Sequence, residues 1–235
     1  MEPQDPRDLA GPGEQISPSE RQAIPPPELG PADADARSDR DRIDLDDLLG
    51  GNGLYAGKDA TAIQLGGVGR NVTIAGGVGI GGSVSAVSNG ASATAIRVGS
   101  GTATPEIRVA GKVEAAGGNA VGAITTAILV DTGANLPLIR NSGAITAKAG
   151  GDNGTARAIV DLSGTVTTVE NSGTISATGA LATSDRNVAI DLSANNAGTT
   201  VKQTAVAAGL AAPSIVGDVR FGGGNDVFDI ADGSV

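Results

Sequence analysis

The sequence predicts an all-β chain that folds as a right-handed parallel β-helix (β-solenoid) behind a disordered amino-terminal tail. Three observations predict this class. An Ala-Ile dipeptide recurs at nearly constant spacing, apolar residues alternate with period two inside each copy, and glycine-rich segments separate the alternating runs. Glycine supplies 37 of the 235 residues, whereas the aromatic residues are one tyrosine and two phenylalanines. A fixed period over several copies indicates a repeat fold, in which each unit buries its apolar face by stacking on its neighbours.

The repeat is seen first in the Ala-Ile dipeptide, whose successive steps are 33, 32, 31 and 31 residues. An offset of 32 residues also matches Pro105 with Pro137 and Gly111 with Gly143. We therefore predict a β-solenoid over residues 53–235, built from about five coils of 31–33 residues and truncated at its carboxy end. The dipeptides are Ala62-Ile63, Ala95-Ile96, Ala127-Ile128, Ala158-Ile159 and Ala189-Ile190.

Within each copy the hydrophobic alternation is that of β-strands. Val113 and Ala115 alternate with Lys112 and Glu114, and the next two copies repeat this pattern. Period-two alternation predicts strands, and a helical period of 3.6 fits none of these runs. Three short strands in each copy predict a triangular coil, whose strands pair in parallel with those of the next coil at about 4.8 Å.

Stacked coils should align equivalent side chains in columns. One amide column should bring Asn141 beside Asn171 at a corner, where side-chain amides can bond to each other and to turn backbone groups. Opposite charges in an outward column should contribute about 0.2–1 kcal/mol for each pair. That outward column is predicted to contain Arg108, Arg140, Glu170 and Lys202.

The amino-terminal region differs sharply in composition from the repeats. Residues 1–47 contain 13 acidic and 5 basic side chains, and eight of the 11 prolines lie between Pro3 and Pro31. Low hydrophobicity with excess charge cannot offset the entropy lost on folding. We predict that residues 1–52 are a disordered tail and linker rich in proline and acidic residues, with a partner-binding segment as the alternative.

Composition also excludes several function classes. The chain has no cysteine and no histidine, which excludes disulfides, thiolate metal sites and histidine-dependent nucleophilic catalysis. No basic patch is present, so we expect no nucleic-acid partner. Residues 1–15 lack the basic region and apolar core of a signal peptide. We expect no cofactor, no metal, no catalytic residues and no enzymatic activity.

Several segments together resemble a known family. They are residues 138–147 (LIRNSGAITA), 169–177 (VENSGTISA) and 215–226 (IVGDVRFGGGND). The pattern over about residues 56–235 resembles the β-helical passenger domains of Gram-negative autotransporters.

The resemblance implies export, a cell-surface or extracellular location and a structural or adhesive role. It also implies a translocator β-barrel downstream in the full-length protein, and a host or cell-surface ligand that the repeat does not identify. This chain shows no export signal and stops at Val235 in mid-pattern. We therefore expect a fragment of a passenger, with a nonfunctional remnant of a truncated gene as an alternative.

Two repeated aspartates give a second function hypothesis. Asp161 and Asp191 lie in the similar segments Val-Asp-Leu-Ser and Ile-Asp-Leu-Ser, and we expect them to be outward neighbours about 5 Å apart on adjacent coils. Retaining glycosidases hold two carboxyl groups near this separation. The alternative function is therefore a carbohydrate-active β-helix enzyme, while the simpler interpretation is a repeated solvent-facing aspartate.

Two further patterns suggest binding. Residues 221–229 resemble one copy of a calcium-binding nonapeptide, although such sites need consecutive copies, and a glycine-rich corner ahead of another coil is the simpler interpretation. Thr165, Thr167 and Thr174 could suggest an ice-binding face. They form no regular long column, so ordinary strand propensity accounts for them.

The carboxy end of the repeat should expose strand edges. After Phe228 the sequence continues only from Asp229 to Val235, which is too short to complete another coil. Exposed edges pair readily with other chains unless caps, charges or prolines protect them. We expect the chain to self-associate through this exposed carboxy-terminal coil.

Limited proteolysis tests the predicted boundary between tail and solenoid. A broad-specificity protease should remove residues 1–47 quickly and leave a resistant remainder, because disordered segments are cut first. Mass spectrometry of the products identifies the cut sites. Protection of residues 1–47 would mean that this segment docks on the solenoid.

Overall fold

The computed structural model describes residues 57–235, which form a parallel β-solenoid of about six turns. The strands pair in parallel, and these residues contain no helix. The predicted fold class is therefore confirmed for this part of the chain. The predicted tail over residues 1–52 lies outside the described residues.

Three sheets run along the solenoid, and successive coils contribute one strand to each. Sheet 1 contains β1 (Ala60–Leu65), β5 (Ala93–Val98), β9 (Ile124–Val130), β12 (Thr155–Asp161), β15 (Asn187–Asp191) and β18 (Asp218–Arg220). Sheet 2 contains β3 (Val78–Ile80), β7 (Glu106–Val109), β10 (Leu138–Asn141), β13 (Thr168–Asn171), β16 (Thr200–Gln203) and β19 (Val227–Ile230). Sheet 3 contains β4 (Ser83–Ser88), β8 (Lys112–Gly117), β11 (Ala144–Ala149), β14 (Thr174–Thr178) and β17 (Ser214–Val216). A short pair joins β2 (Val72–Thr73) and β6 (Thr102–Ala103).

The Ala-Ile dipeptide marks one position of sheet 1 in five successive strands. The isoleucine of each copy pairs in register with the isoleucine of the next. The predicted spacing is therefore confirmed, although the turns number about six rather than about five. Strand β18 lacks the dipeptide and sets Val219 opposite Ile190, after a register shift between Val188 and Ile190.

One inward apolar column from each sheet runs through the core, alongside other buried residues such as Val98, Leu136 and Val166. Most members are completely buried, including Ile128, Ile139 and Ile145 at 0% exposure. Burying such a side chain contributes about 1.5–3 kcal/mol, and stacking repeats this gain at every coil. The columns are Ile63, Ile96, Ile128, Ile159, Ile190 and Val219 in sheet 1, Val78, Ile107, Ile139, Val169, Val201 and Phe228 in sheet 2, and Val84, Val113, Ile145, Ile175 and Ile215 in sheet 3.

Glycine is required at the corner between sheets 2 and 3, because successive coils touch there through their backbones. A Cβ atom on Gly143 would lie 2.0 Å from the carbonyl oxygen of Gly111. A Cβ atom on Gly173 would lie 2.1 Å from the carbonyl oxygen of Gly143. Any side chain at these positions would force the coils apart.

The predicted outward charged column lies on sheet 2. The register places Arg108 beside Arg140, Arg140 beside Glu170, and Glu170 beside Lys202. Arg140 Nε lies 3.0 Å from Glu170 Oε2, and Glu106 also approaches Arg140, at 3.8 Å. The Arg140 and Glu170 side chains are partly exposed, at 44% and 38%, so each surface pair contributes about 0–1 kcal/mol at most. The column therefore adds little to stability.

The predicted amide ladder is confirmed and is longer than expected. Asn141 Nδ2 donates to Asn171 Oδ1 at 2.8 Å, and Asn171 Nδ2 donates to Gln203 Oε1 at 3.0 Å. All three side chains are buried, at 2%, 0% and 0% exposure. A continuous, satisfied network of buried amides therefore follows the corner between sheets 2 and 3.

The ladder also satisfies backbone groups of the corner. Asn141 Oδ1 accepts from the N–H of Gly143 at 3.2 Å, and Asn171 Oδ1 accepts from the N–H of Gly173 in the same way. Asn141 Nδ2 also donates to the carbonyl of Thr174 on the next coil at 2.9 Å. Each asparagine therefore shapes its own turn and holds the following coil.

Replacing Asn171 by alanine removes the middle of this ladder. The Gln203 carbonyl and the Gly173 N–H lose their partners in the buried corner, and Asn141 loses one of its acceptors. Each unsatisfied buried group costs about 1–3 kcal/mol, so we expect the free energy of unfolding to fall by about 3 kcal/mol or more. Urea unfolding followed by circular dichroism measures the change.

The matched control is Glu170→Ala, one residue earlier on the same strand. Its side chain is partly exposed, at 38%, and joins only surface ion pairs, so we expect a loss within about 1 kcal/mol. Equal losses in the two variants would show that the ladder has no special stabilising role.

Candidate functional site

The structure corrects the predicted arrangement of the two repeated aspartates. The register pairs Asp191 with Val160 and pairs Asp161 with Val130, so the two carboxylates do not share an outward column. Both are buried, at 1% exposure for Asp161 and 8% for Asp191. Asp191 directly follows its Ala-Ile dipeptide, whereas Val160 intervenes before Asp161, so the similar segments are offset by one position in the sheet.

The Asp161 carboxylate organises the corner that follows β12. Its Oδ1 accepts from the N–H of Ser163 at 2.9 Å, from the Ser163 hydroxyl at 2.6 Å and from the N–H of Gly164 at 3.1 Å. Its Oδ2 accepts from the N–H of Val166 at 2.9 Å. Such bonding of aspartate to the backbone just downstream is typical of turn residues.

Asp191 makes the corresponding turn on the next coil. Its Oδ1 accepts from the N–H of Ser193 at 3.2 Å and from the Ser193 hydroxyl at 2.6 Å. Both carboxylates therefore serve the corner between sheets 1 and 2. A glycosidase needs its carboxyl pair open to substrate, and the burial of Asp161 does not provide that access.

The glycine-rich segment over residues 221–229 also helps one coil to stack on the next. Asp226 Oδ1 accepts from the N–H and the hydroxyl of Thr199, both at 2.8 Å, and so holds the preceding coil. A Cβ atom on Gly222 would lie 1.9 Å from the carbonyl oxygen of Asn195. The segment leads into β19, in agreement with a glycine-rich corner ahead of another coil. Residues 57–235 contain no group of three acidic side chains placed to hold a metal ion.

The three candidate threonines do not form one surface. Thr165 and Thr167 lie in the corner between β12 and β13, whereas Thr174 begins β14 on sheet 3. Thr165 Oγ1 accepts from the N–H of Leu136 at 3.0 Å, and the Thr167 hydroxyl donates to the carbonyl of Pro137 at 3.1 Å. These hydroxyl groups join neighbouring coils and present no ordered array to solvent.

The outward face of sheet 3 is a surface of mostly short side chains, which sequence reasoning did not single out. Its strands lie in parallel register, so the outward side chains form straight columns. The central column combines hydroxyl, carboxylate and methyl groups without aromatic residues. It contains Ser85, Glu114, Thr146, Ser176 and Val216.

A shallow polar cleft of about 190 Å³ lies over sheet 2. Arg108, Arg140 and Glu170 border it, together with the hydroxyl groups of Ser142 and Ser172. Because Arg140 is paired with Glu170, the cleft presents both signs of charge.

Comparison of the chain with family models, curated proteins and solved structures found no match. Residues 57–235 contain no helix that is long and apolar enough to cross a membrane.

Removing the Asp161 carboxylate tests its role in the corner. In Asp161→Ala the N–H groups of Ser163, Gly164 and Val166 lose their acceptor, and a buried orphan donor costs about 1–3 kcal/mol. Because part of this corner reaches water, we expect a total loss of about 2–4 kcal/mol in the free energy of unfolding. Urea unfolding measures it.

The control is Asp152→Ala at an exposed corner of the preceding coil. We expect it to change stability by no more than about 0.5 kcal/mol, as for ordinary surface substitutions. If the Asp161→Ala protein were as stable as this control, the Asp161 carboxylate would not stabilise the corner that follows β12.

Proposed function

We propose that residues 57–235 are an autotransporter-type passenger module, displayed at the cell surface as a rigid structural or adhesive rod. The main support for this proposal is that the buried polar side chains form hydrogen bonds within the solenoid itself. The buried amides and the two buried aspartates bond to turn backbones and neighbouring coils. A chain whose buried polar chemistry maintains stacking is suited to project and present a surface.

The repeated Asn-Ser-Gly motif supports the resemblance to passengers. In both copies the asparagine bonds to the N–H of its own glycine and continues the ladder, and the glycine touches the backbone of the preceding coil. The residues that carry the resemblance are therefore those that specify stacking. They favour a structural role and name no ligand.

The adhesive part of the proposal concerns the exterior. The outward columns of sheet 3 and the polar cleft on sheet 2 offer straight, repeated contacts of mixed polarity. Protein or carbohydrate surfaces with repeated polar groups are the ligand class that such columns suit. The alternative of a carbohydrate-active enzyme is weakened, because neither of its candidate catalytic residues, Asp161 and Asp191, is exposed.

Surface location is tested with antibodies raised against the full chain and applied to cells of the source organism. We expect labelling of intact cells and loss of that labelling after external proteinase K, while a cytoplasmic marker stays protected. Labelling that needs cell lysis would contradict surface display.

The adhesive role is tested on the same cells by deleting the gene. Loss of attachment to host cells, to immobilised glycans or to sister cells would support adhesion. Unchanged attachment, with the protein still present on the surface of the parent cells, would leave only the structural role.

A further inference from the structure

Two arginine side chains in the middle coils have a nitrogen that is covered from solvent and lacks a hydrogen-bond acceptor. These nitrogens are Nε of Arg157 and Nε of Arg186. Every other arginine from residue 71 onward pairs with an acidic side chain, as Arg97 does with Asp131 at 2.7 Å. Among residues 57–235, neither Arg157 nor Arg186 forms such a pair. A partly desolvated charge without a counter-charge is unfavourable, so both guanidinium groups favour an added acceptor.

The strand register places the two arginines together on the outward face of sheet 1. Arg157 alternates with Ala156, which packs in an inward cluster of alanines. Ala156 lies opposite Asn187, and its N–H donates to the carbonyl of Arg186 at 2.9 Å. Arg186 therefore lies opposite Thr155, on the diagonal from Arg157. Diagonal neighbours on one face of a sheet are about 7–8 Å apart, within reach of long side chains.

Two threonine hydroxyl groups complete this arginine patch, which consists of Arg157, Arg186, Thr126 and Thr155. Thr126 lies opposite Arg157 on the preceding coil, and Thr155 precedes Arg157 by two residues on β12. Thr126 is only 4% exposed although its column points outward, and Val188 in the same column is 1% exposed. The patch is therefore shielded from water, and charges interact more strongly there than on an open surface.

The nearby acidic residues do not neutralise the patch. Arg186 Nη2 donates to the backbone carbonyl of Asp152 and forms no ion pair with its carboxylate. Asp185 and Asp218 instead approach Arg220, at 4.0 and 3.5 Å. The two guanidinium groups of the patch therefore repel each other, and an anion that contacts both would remove this repulsion.

We propose that the arginine patch binds a small oxyanion, phosphate or sulfate, between Arg157 and Arg186. Both arginines are partly exposed, so an anion can contact the outer edges of their guanidinium groups. Guanidinium groups bind such anions through paired N–H donors, and the threonine hydroxyl groups are further donors. The net charge of −10 opposes general attraction of anions, so binding must come from this local arrangement. The inference is independent of the proposed surface role.

Urea unfolding of the full chain tests the proposal, with inorganic phosphate replacing sodium chloride at constant ionic strength. A ligand that binds only the folded state raises the folding equilibrium constant, by about tenfold when it is present at ten times its dissociation constant. Phosphate also stabilises proteins generally, because it is excluded from their surfaces. The specific effect is therefore the part that Arg157→Gln removes. We expect phosphate to stabilise the wild type at least about tenfold more than this variant.

The matched control is Arg97→Gln, which removes an arginine of the same sheet that already has an acidic partner. This variant should keep the full effect of phosphate. Equal stabilisation of the wild type and Arg157→Gln would mean general exclusion or an adventitious ion only, and would overturn the proposal. Calorimetric titration of the wild type with phosphate covers the case in which Arg157→Gln does not fold. A titration without saturable heat would also contradict the site.

Glycerol 3-phosphate in place of inorganic phosphate identifies the form of the anion. Equal stabilisation by both would support a site that also accepts the anion as an ester. Stabilisation by inorganic phosphate alone would support a site for the free anion. Stabilisation by neither, beyond that seen in Arg157→Gln, would overturn the proposal.

Discussion

Each coil of this protein buries its inward side chains only when the next coil lies directly on it, and every other feature depends on that stacking. The isoleucine columns provide the apolar gain, but aliphatic contacts alone do not fix the position of one coil over another. Gly143 and Gly173 allow backbones to touch at one corner, and the Asn141–Asn171–Gln203 ladder joins the same corner by directional hydrogen bonds. Burial of the isoleucine columns stabilises the stack, and the contacts at the corner fix the register of one coil on the next.

Features that repeat with this register could be predicted from the sequence. The Ala-Ile dipeptide, the charged column and the pair Asn141–Asn171 recur in identical or similar form, and the strand pairing aligns them as expected. Gln203 was missed because it replaces asparagine. Residues 204–213 then separate it from Ser214, whereas two residues make the equivalent turn after Asn171. Insertions at a corner hide the period while the strands on either side keep their pairing.

The aspartates show the opposite error, in which local similarity conceals a shift in register. Asp161 and Asp191 have similar neighbours and form similar turns with the following serine. Four similar residues specify such a turn because its hydrogen bonds are local. They do not specify which residue lies opposite on the next coil, since the spacing to the preceding isoleucine sets that. The burial of Asp161 could not be predicted from the sequence pattern. Val160 stands between the Ala-Ile dipeptide and Asp161, so the alternation of inward and outward residues is shifted by one position there.

Inward and outward residues of the solenoid have different roles, and this difference explains why the repeated motifs do not identify a ligand. Stacking constrains the inward columns and one glycine-rich corner, while outward positions and other corners need only preserve the strands. Residues 204–213 form an uncharged loop, in which Leu210 is 67% exposed. Gln203 before this loop and Ser214 after it still pair with the preceding coil. Recognition chemistry in such a fold is free to lie on surfaces that the repeat leaves unconstrained. The residues that are easiest to recognise from the sequence are therefore the ones least informative about what the protein binds.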